Sequence, residues 1–234
     1  MTLKWAIPDI HGEYMKMCGL LDAIDAQPDE IIFLGDYVDR GPMSYMVLKK
    51  LRELQKEGTI ALLGNHERLM TNAVLRATYS HCRLWDINGG HRTADSFKKM
   101  TGSKYMREMG EYSLWLNSLP TWHDDGQYFY SHAPMDPVAS YPGILDKEHP
   151  DHEQVLTWTY LIPEKDAMAI PDRTGVCGHI HRLQHGVIEP RMYDHYLYLD
   201  AGCGCAPDAP LIAYNLQDRY YVNHKGEKYD HPRT

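Results

Sequence analysis

Ile31-Ile32-Phe33-Leu34-Gly35-Asp36-Tyr37-Val38-Asp39-Arg40-Gly41-Pro42 is the stretch on which the fold turns. Its four leading apolar residues read as a short strand buried on both faces, because a strand with one wet face would alternate. Gly35 ends the strand, and Asp36, Asp39 and Arg40 follow before Gly41. A chain reversal needs the glycines but neither the carboxylates nor the arginine, so this loop carries chemistry as well as a turn. Beyond Pro42, Met46, Val47, Leu48, Leu51 and Leu54 recur at helical spacing, with Gly58 as the stop. The same pattern flanks it on both sides. Residues 3–7 read as a strand, Pro8 and Gly12 punctuate a loop, and Met17, Leu20, Leu21 and Ile24 mark a helix within 13–26. Residues 59–63 read as a third strand, ended by Gly64. Three successive β-loop-α units predict an α/β fold with parallel pairing.

Residues 67–119 are polar and read as helical, with a break at Asn88-Gly89-Gly90. A strand is expected over 127–131, ending at His132-Ala133-Pro134, then a loop over 136–151 and a short helix over 153–161. Val176 and Cys177 end a strand at Gly178-His179. The remainder looks like a β-meander over 186–188, 196–199, 211–214 and 220–222, and the last ten residues are expected to fray. The 234 residues are 43% apolar and 24% charged, an ordinary globular composition that supports one catalytic domain over 1–234 with its own core. A net charge of −8 leaves no basic face for a nucleic-acid backbone, so no nucleic-acid partner is expected. No apolar run nears the ~18–20 residues that span a bilayer, so no membrane partner is expected either. The first residues do not resemble a signal peptide, and the five cysteines form no regular framework, so the expected setting is reducing and cytoplasmic. Cys203 and Cys205 read as small buried residues near a strand end.

Five loops that follow apolar strands carry metal-ligand residues: Asp9-Ile10-His11-Gly12, the Gly35–Gly41 loop, Gly64-Asn65-His66-Glu67, His132-Ala133 and Gly178-His179. In an open α/β sheet the carboxyl ends of strands converge on one crevice, so loops distant in sequence can build one site. Asp9, His11, Asp36, Asn65, His132 and His179 supply six donors, too many for one catalytic metal with an open position. With one carboxylate bridging, they suit two ions about 3.5–4 Å apart, an arrangement that supports in-line displacement. Oxygen and imidazole donors without thiolate favour manganese, iron or zinc over copper. Each short motif alone is weak. The seven-residue Gly35–Gly41 loop is specific by itself, and all five in this order at strand ends are far more so. The remaining histidines, among them His81, His91, His123, His149, His152, His185, His195 and His224, read as surface or capping groups, and His181 as outside the ligand set. Trp85, Trp115, Trp122 and Trp158 read as core or groove wall, and Tyr37 as groove lining or packing.

These strings, Asp-Ile-His-Gly at 9–12, Gly-Asp-Tyr-Val-Asp-Arg-Gly at 35–41, Gly-Asn-His-Glu at 64–67, His-Ala-Pro at 132–134 and Gly-His at 178–179, resemble the phosphoprotein phosphatase branch of the calcineurin-like metallophosphoesterases. The size is similar to that of the compact bacterial and bacteriophage serine/threonine phosphatases, and the resemblance runs from Trp5 to Leu216. It implies a β-sandwich of two mixed sheets flanked by α-helices. It implies a first ion on Asp9, His11 and Asp36, and a second on Asp36, Asn65, His132 and His179, with manganese foremost and iron or zinc as substitutes. His66 is implied as the general acid, Asp39 as its orienting carboxylate, and Arg40, with Asn65 beside it, as the contact to phosphate oxygens. The implied activity is phosphomonoester hydrolysis on a phosphorylated protein, at serine or threonine and also tyrosine, or on a small phosphoester.

Two departures stand out. The phosphatases usually carry Arg immediately before Gly-Asn-His-Glu, where this chain has Leu63. The compact ones also carry Arg after the stretch that here reads Asp151-His152-Glu153-Gln154, where this chain has Trp158-Thr159-Tyr160. Arg68 and Arg182 are the cations nearest in sequence that could compensate. The chain is also similar to the symmetrical diadenosine tetraphosphate hydrolases, which lack the same Arg, and these supply the alternative activity. A binding-only relative would show damage to the ligand set or to His66, and none is present.

Overall fold

The computed structural model describes residues 3–136, 141–160, 170–181, 189–193 and 195–230. The three β-loop-α units are present as β1 (Trp5–Ile7), α1 (Tyr14–Ala23), β2 (Ile31–Phe33), α2 (Ser44–Lys56), β3 (Ile60–Ala61) and α3 (Asn65–Arg76). The helical middle follows as α4 (Tyr79–Ile87), α5 (Gly90–Thr101) and α6 (Tyr105–Leu116), with the break between α4 and α5 at the expected glycines. Then come β4 (Trp122–Asp124), β5 (Tyr128–Ser131), α7 (His152–Trp158), β6 (Thr174–Cys177), β7 (Arg191–Tyr193), β8 (Tyr196–Tyr198), β9 (Ile212–Asn215), β10 (Tyr220–Asn223) and β11 (Lys228–Asp230).

The strands form two mixed sheets, in the orders β11-β10-β9-β1-β2-β3 and β4-β5-β6-β8-β7. In the first, β1, β2 and β3 are parallel, with Trp5 opposite Ile31 and Phe33 opposite Ala61, and β9 runs antiparallel to β1. In the second, β5, β6 and β8 are parallel, and β4 and β7 are antiparallel edges.

Alternation along each strand explains the layers. Ala6, Ile32, Leu34, Ile212 and Tyr214 from the first sheet pack against Tyr130, Val176 and Leu197 from the second. Their neighbours Trp5, Ile7, Ile31 and Phe33 point the other way, into a core shared with Met17, Leu20, Val47, Leu48, Leu51 and Phe97 of the helices. Phe129, Cys177, Tyr196 and Tyr198 form the outer face of the second sheet, under Ile144 and Leu156. Both faces of β1 and β2 are therefore dry, which is why their sequences read as unbroken apolar runs.

The expected single meander is corrected. Strands 196–198 and 212–215 lie in different sheets, and residues 186–188 fall outside the described residues. The polar edges β4 and β7 escaped the pattern because Trp122-His123-Asp124 and Arg191-Met192-Tyr193 carry no apolar run. Within the expected frayed tail, residues 228–230 are ordered. Lys228–Asp230 pairs with β10, Tyr229 stacks on Tyr221 at 4.9 Å, and Lys228 Nζ sits 3.5 Å from the Tyr220 ring centroid. A charged edge strand of this kind resists pairing with other chains. Among the described residues no helix is long and apolar enough to cross a membrane.

Candidate active site

Each donor expected from the sequence lies just past a strand end. Asp9 and His11 follow β1, Asp36, Asp39 and Arg40 follow β2, Asn65 and His66 open α3 after β3, His132 follows β5, and His179 follows β6. Among the described residues, eight non-glycine residues have positive φ, and five of them are His11, Asp36, Asp39, Arg40 and His179. Backbone strain is thus concentrated where the candidate side chains are aimed, as it is in sites that pack several loops onto one centre. Gly64 answers to the same crowding, because a Cβ there would meet Asp36 Oδ1 at 2.3 Å.

Among the described residues, two groups of donors have ligand atoms within 4.8 Å of one another: His11, Asp36 and His66, and Asp36, His132 and His179. Asp36 is common to both. Asp9 joins through its oxygens, with Oδ2 at 3.8 Å from His11 Nε2 and Oδ1 accepting from the His179 amide at 3.0 Å. The imidazoles are pre-oriented. His11 Nδ1 donates to the Val38 carbonyl and His132 Nδ1 to the Leu34 carbonyl, each at 2.9 Å, so in both rings Nε2 faces the centre. Asn65 can present either end of its amide. With oxygen inward it lies 2.8 Å from His132 Nε2, as a metal ligand needs, and with nitrogen inward it donates to Asp36 Oδ2 at 3.1 Å and His179 Nδ1 at 3.2 Å.

The charges tell the same story. Burial would lower His132, but the Asp36 charge and hydrogen bond, then Asp9, push it up to about 10. Burial and then His132 push its neighbour His179 down to about 3. Burial would raise Asp36, yet His132 and His66 hold it well below the usual carboxylate range. Burial and then Arg40 keep His11 neutral, and its Nε2 accepts from Arg40 Nη1 at 2.8 Å. A guanidinium and an imidazolium thus face this convergence of buried acceptors, so the donor set fits divalent cations held by oxygen and imidazole.

Beside the donors is a His–Asp pair. His66 Nδ1 lies 2.8 Å from Asp39 Oδ2, and His66 Nε2 lies 3.1 Å from Arg40 Nη2 and 3.9 Å from Asp36 Oδ2. Burial would lower His66, but Asp36 and then Asp39 raise it. Burial raises Asp39, against hydrogen bonds from His66, Thr93 and Trp85.

Several expectations are corrected. Of the two readings open for Tyr37 the structure selects packing, since it is fully buried and donates to the Leu62 carbonyl at 2.6 Å. His152 is buried between Thr121 and the Ile144 carbonyl instead of lying on the surface. Cys205 is exposed, with its thiol 2.7 Å from Arg40 Nη1, whereas Cys203 is buried as expected. Arg68 binds Asn117 and Glu153, tying α3 to α6 and α7, so it is not free for phosphate. Arg182 lies outside the described residues.

Four contributors escaped the sequence reading. Glu67 accepts amides from both sides of the centre: Tyr37 at 2.7 Å and Val38 at 3.2 Å on Oε1, Asp36 at 2.8 Å and Gly64 at 3.0 Å on Oε2. Burial, then the Asp36 charge, push its carboxyl up, while the amides favour the anion. Asp200, buried close to Asp9, caps the Gly202 amide at 2.8 Å. Trp85 and Thr93 both donate to Asp39. The Asn88-Gly89-Gly90 break was the available signal for the last two, since it puts a tight turn between them.

Residues 5–183 match the calcineurin-like phosphoesterase family. Serine/threonine-protein phosphatase 1 of Salmonella typhimurium is 39% identical over 99 residues, 42% of this chain and 41% of that protein. A symmetrical bis(5'-nucleosyl)-tetraphosphatase of Aromatoleum aromaticum is 28% identical over 135 residues, 57% of this chain and 44% of that protein. Serine/threonine-protein phosphatase 2 of Escherichia coli is 30% identical over 163 residues, 66% of each. The matched stretch therefore spans less than half of the first two relatives. Among solved structures, a putative diadenosine tetraphosphatase superposes with a TM-score of 0.63 at 20% identity, covering 94% of this chain and 91% of that one. A protein serine/threonine phosphatase from Saccharomyces cerevisiae does so with 0.61 at 16% identity, covering 99% and 81%. These two share the fold. The family match across residues 5–183, on a fold of this kind, shows that the chain belongs to the calcineurin-like phosphoesterase family.

Proposed function

We propose that residues 1–234 form one catalytic domain that hydrolyses phosphomonoesters with two divalent ions, manganese foremost, acting on phosphoserine or phosphothreonine in a protein and also on phosphotyrosine. The observation that carries this reading is the pair of donor groups that share Asp36, with the His66–Asp39 pair beside them. Asp9, His11 and Asp36 would hold one ion, and Asp36, Asn65, His132 and His179 the other. When bound, the ions would neutralise phosphoryl charge and activate the attacking water.

The chain's own groups supply the rest. Arg40 binds phosphoryl oxygens with a charge-assisted hydrogen bond. Asp39 directs His66 so that Nε2 faces the leaving-group oxygen and gives it a proton, a role worth roughly 10²–10⁴ in rate. No nucleophilic side chain is required. The five free cysteines accord with a reducing, cytoplasmic setting.

A second reading, symmetrical cleavage of diadenosine tetraphosphate, is favoured by the cation supply. Leu63 is buried, Arg68 is engaged elsewhere, and the Trp158-Thr159-Tyr160 stretch brings an exposed Tyr160 ring, not an Arg, within 6.3 Å of His179. The test is a rate comparison with manganese on a phosphoserine peptide, a phosphotyrosine peptide and diadenosine tetraphosphate, repeated with a chelator. Faster turnover of the peptides supports the first reading and faster turnover of the dinucleotide the second. Turnover that survives the chelator rejects both.

A further inference from the structure

Asp39 is fully buried and both of its oxygens are committed. Oδ2 faces His66 Nδ1. Oδ1 accepts from the Trp85 indole Nε1 at 2.9 Å and from the Thr93 hydroxyl at 2.8 Å. Thr93 Oγ1 also accepts from the Asp39 amide at 2.8 Å, and Ser44 Oγ lies 3.0 Å from it. Trp85 and Thr93 come from α4 and α5, 46 and 54 residues from Asp39 in the chain. The turn between these helices presses on the same loop. Gly89 has φ +99°, and a Cβ there would come within 2.9 Å of the Arg40 amide. The pinned segment is itself strained, with φ 71° at Asp39 and 61° at Arg40.

These contacts are more than the packing of a buried tryptophan requires. Two side chains from two helices converge on the one carboxylate oxygen that His66 does not use. From this geometry we propose that Trp85 and Thr93 are positioning residues for proton delivery: they hold Asp39 Oδ1 so that Oδ2 keeps His66 Nδ1 and turns Nε2 toward the leaving group. The inference rests on His66 being the general acid. In that step the oxygen of a water molecule forms a new bond to phosphorus as the P–O bond to the leaving group breaks. The electron pair of the broken bond stays on the leaving oxygen, the proton on His66 Nε2 passes to that oxygen, and the proton released from the water restores His66 for the next turnover. The neutral imidazole keeps its Nδ1 proton and donates it to Asp39 Oδ2. Without the two donors the carboxylate is free to turn, and the proton is no longer aimed.

The test compares p-nitrophenyl phosphate, whose leaving group needs no proton, with a phosphoserine peptide, whose leaving group does, on the manganese-loaded protein. Trp85→Phe keeps the ring without the donor, Thr93→Val keeps the shape without the hydroxyl, and Thr93→Ser keeps the hydroxyl. The expected result for Trp85→Phe and Thr93→Val is a loss of about tenfold or more in kcat on the peptide at unchanged KM, with p-nitrophenyl phosphate turnover near wild type. Thr93→Ser retains activity, and Trp85→Phe adds no loss in a His66→Asn background. The His66 Nδ1 proton resonance, read in histidine-labelled protein loaded with diamagnetic zinc in place of manganese, shifts in both variants at unchanged metal content. The two variants act on one oxygen from different helices, so if one fails to fold the other carries the test. Equal losses on both substrates, loss of bound manganese, or additive losses with His66→Asn would overturn the proposal. If His66→Asn distinguishes the substrates but the new variants do not, only this inference falls. If His66→Asn does not distinguish them, the general-acid reading falls and this inference with it.

Discussion

Glu67→Gln is an isosteric change with a large expected cost. Each Glu67 oxygen accepts two backbone amides, from Tyr37 and Val38 on one side and Asp36 and Gly64 on the other. Glutamine keeps one oxygen. Whichever way its amide turns, its NH2 faces two buried N–H groups that lose their acceptor. A buried donor left unsatisfied costs about 1–3 kcal/mol, so two of them predict a loss of about 2–6 kcal/mol. That is a large share of a domain stability of about 5–15 kcal/mol. Urea unfolding of chelator-treated wild type and variant isolates this cost, because no metal then contributes to the folded state. The variant should unfold at a lower urea midpoint with an unchanged slope. A loss under about 1 kcal/mol would refute the reasoning, since it would mean that Glu67 is protonated in the fold and that the amides are not held by an anion.

Two other outcomes follow from contacts at and away from the centre. Arg40→Ala should lower kcat/KM by about 10- to 100-fold on phosphomonoesters through a raised KM and a lowered kcat, and unchanged steady-state constants would place another cation at the phosphate. At the β4 edge, burial would raise Asp124, but Arg173 Nε at 2.8 Å and the Gly126 amide hold it below its ordinary value. A lowered folded pKa stabilises above the unfolded pKa, and the benefit is lost as pH falls through the folded one. Asp124→Asn should therefore lower Tm modestly at neutral pH, by the equivalent of at most about 1 kcal/mol, with the gap closing as pH falls below the ordinary aspartate range. A gap that persists in acid would show that the ion pair is not its cause.

What was legible in the chain was local. Ile31 to Leu34 announced a strand dry on both faces because helices and a second sheet do cover it. The donors at strand ends were legible because parallel strands bring their carboxyl ends together, whatever the sheet order. Sheet membership was not legible, since nothing local in Tyr196–Tyr198 or Ile212–Asn215 says that one pairs with β6 and the other with β1. Edge strands were hidden by half-buried, polar sequences. The supporting shell was hidden for a related reason. Trp85 and Thr93 matter through a partner tens of residues away, and an isolated Trp or Thr carries no mark of that. Arg68 shows the converse, because its place after His66 hinted at phosphate while its guanidinium serves three helices.

Anomalous diffraction from crystals grown with manganese tests the shared-carboxylate site most directly. Two peaks per chain are expected, about 3.5–4 Å apart, with Asp36 bound to both, His11 on one side, and His132 and His179 on the other. A single peak, or two peaks that do not share Asp36, would contradict it.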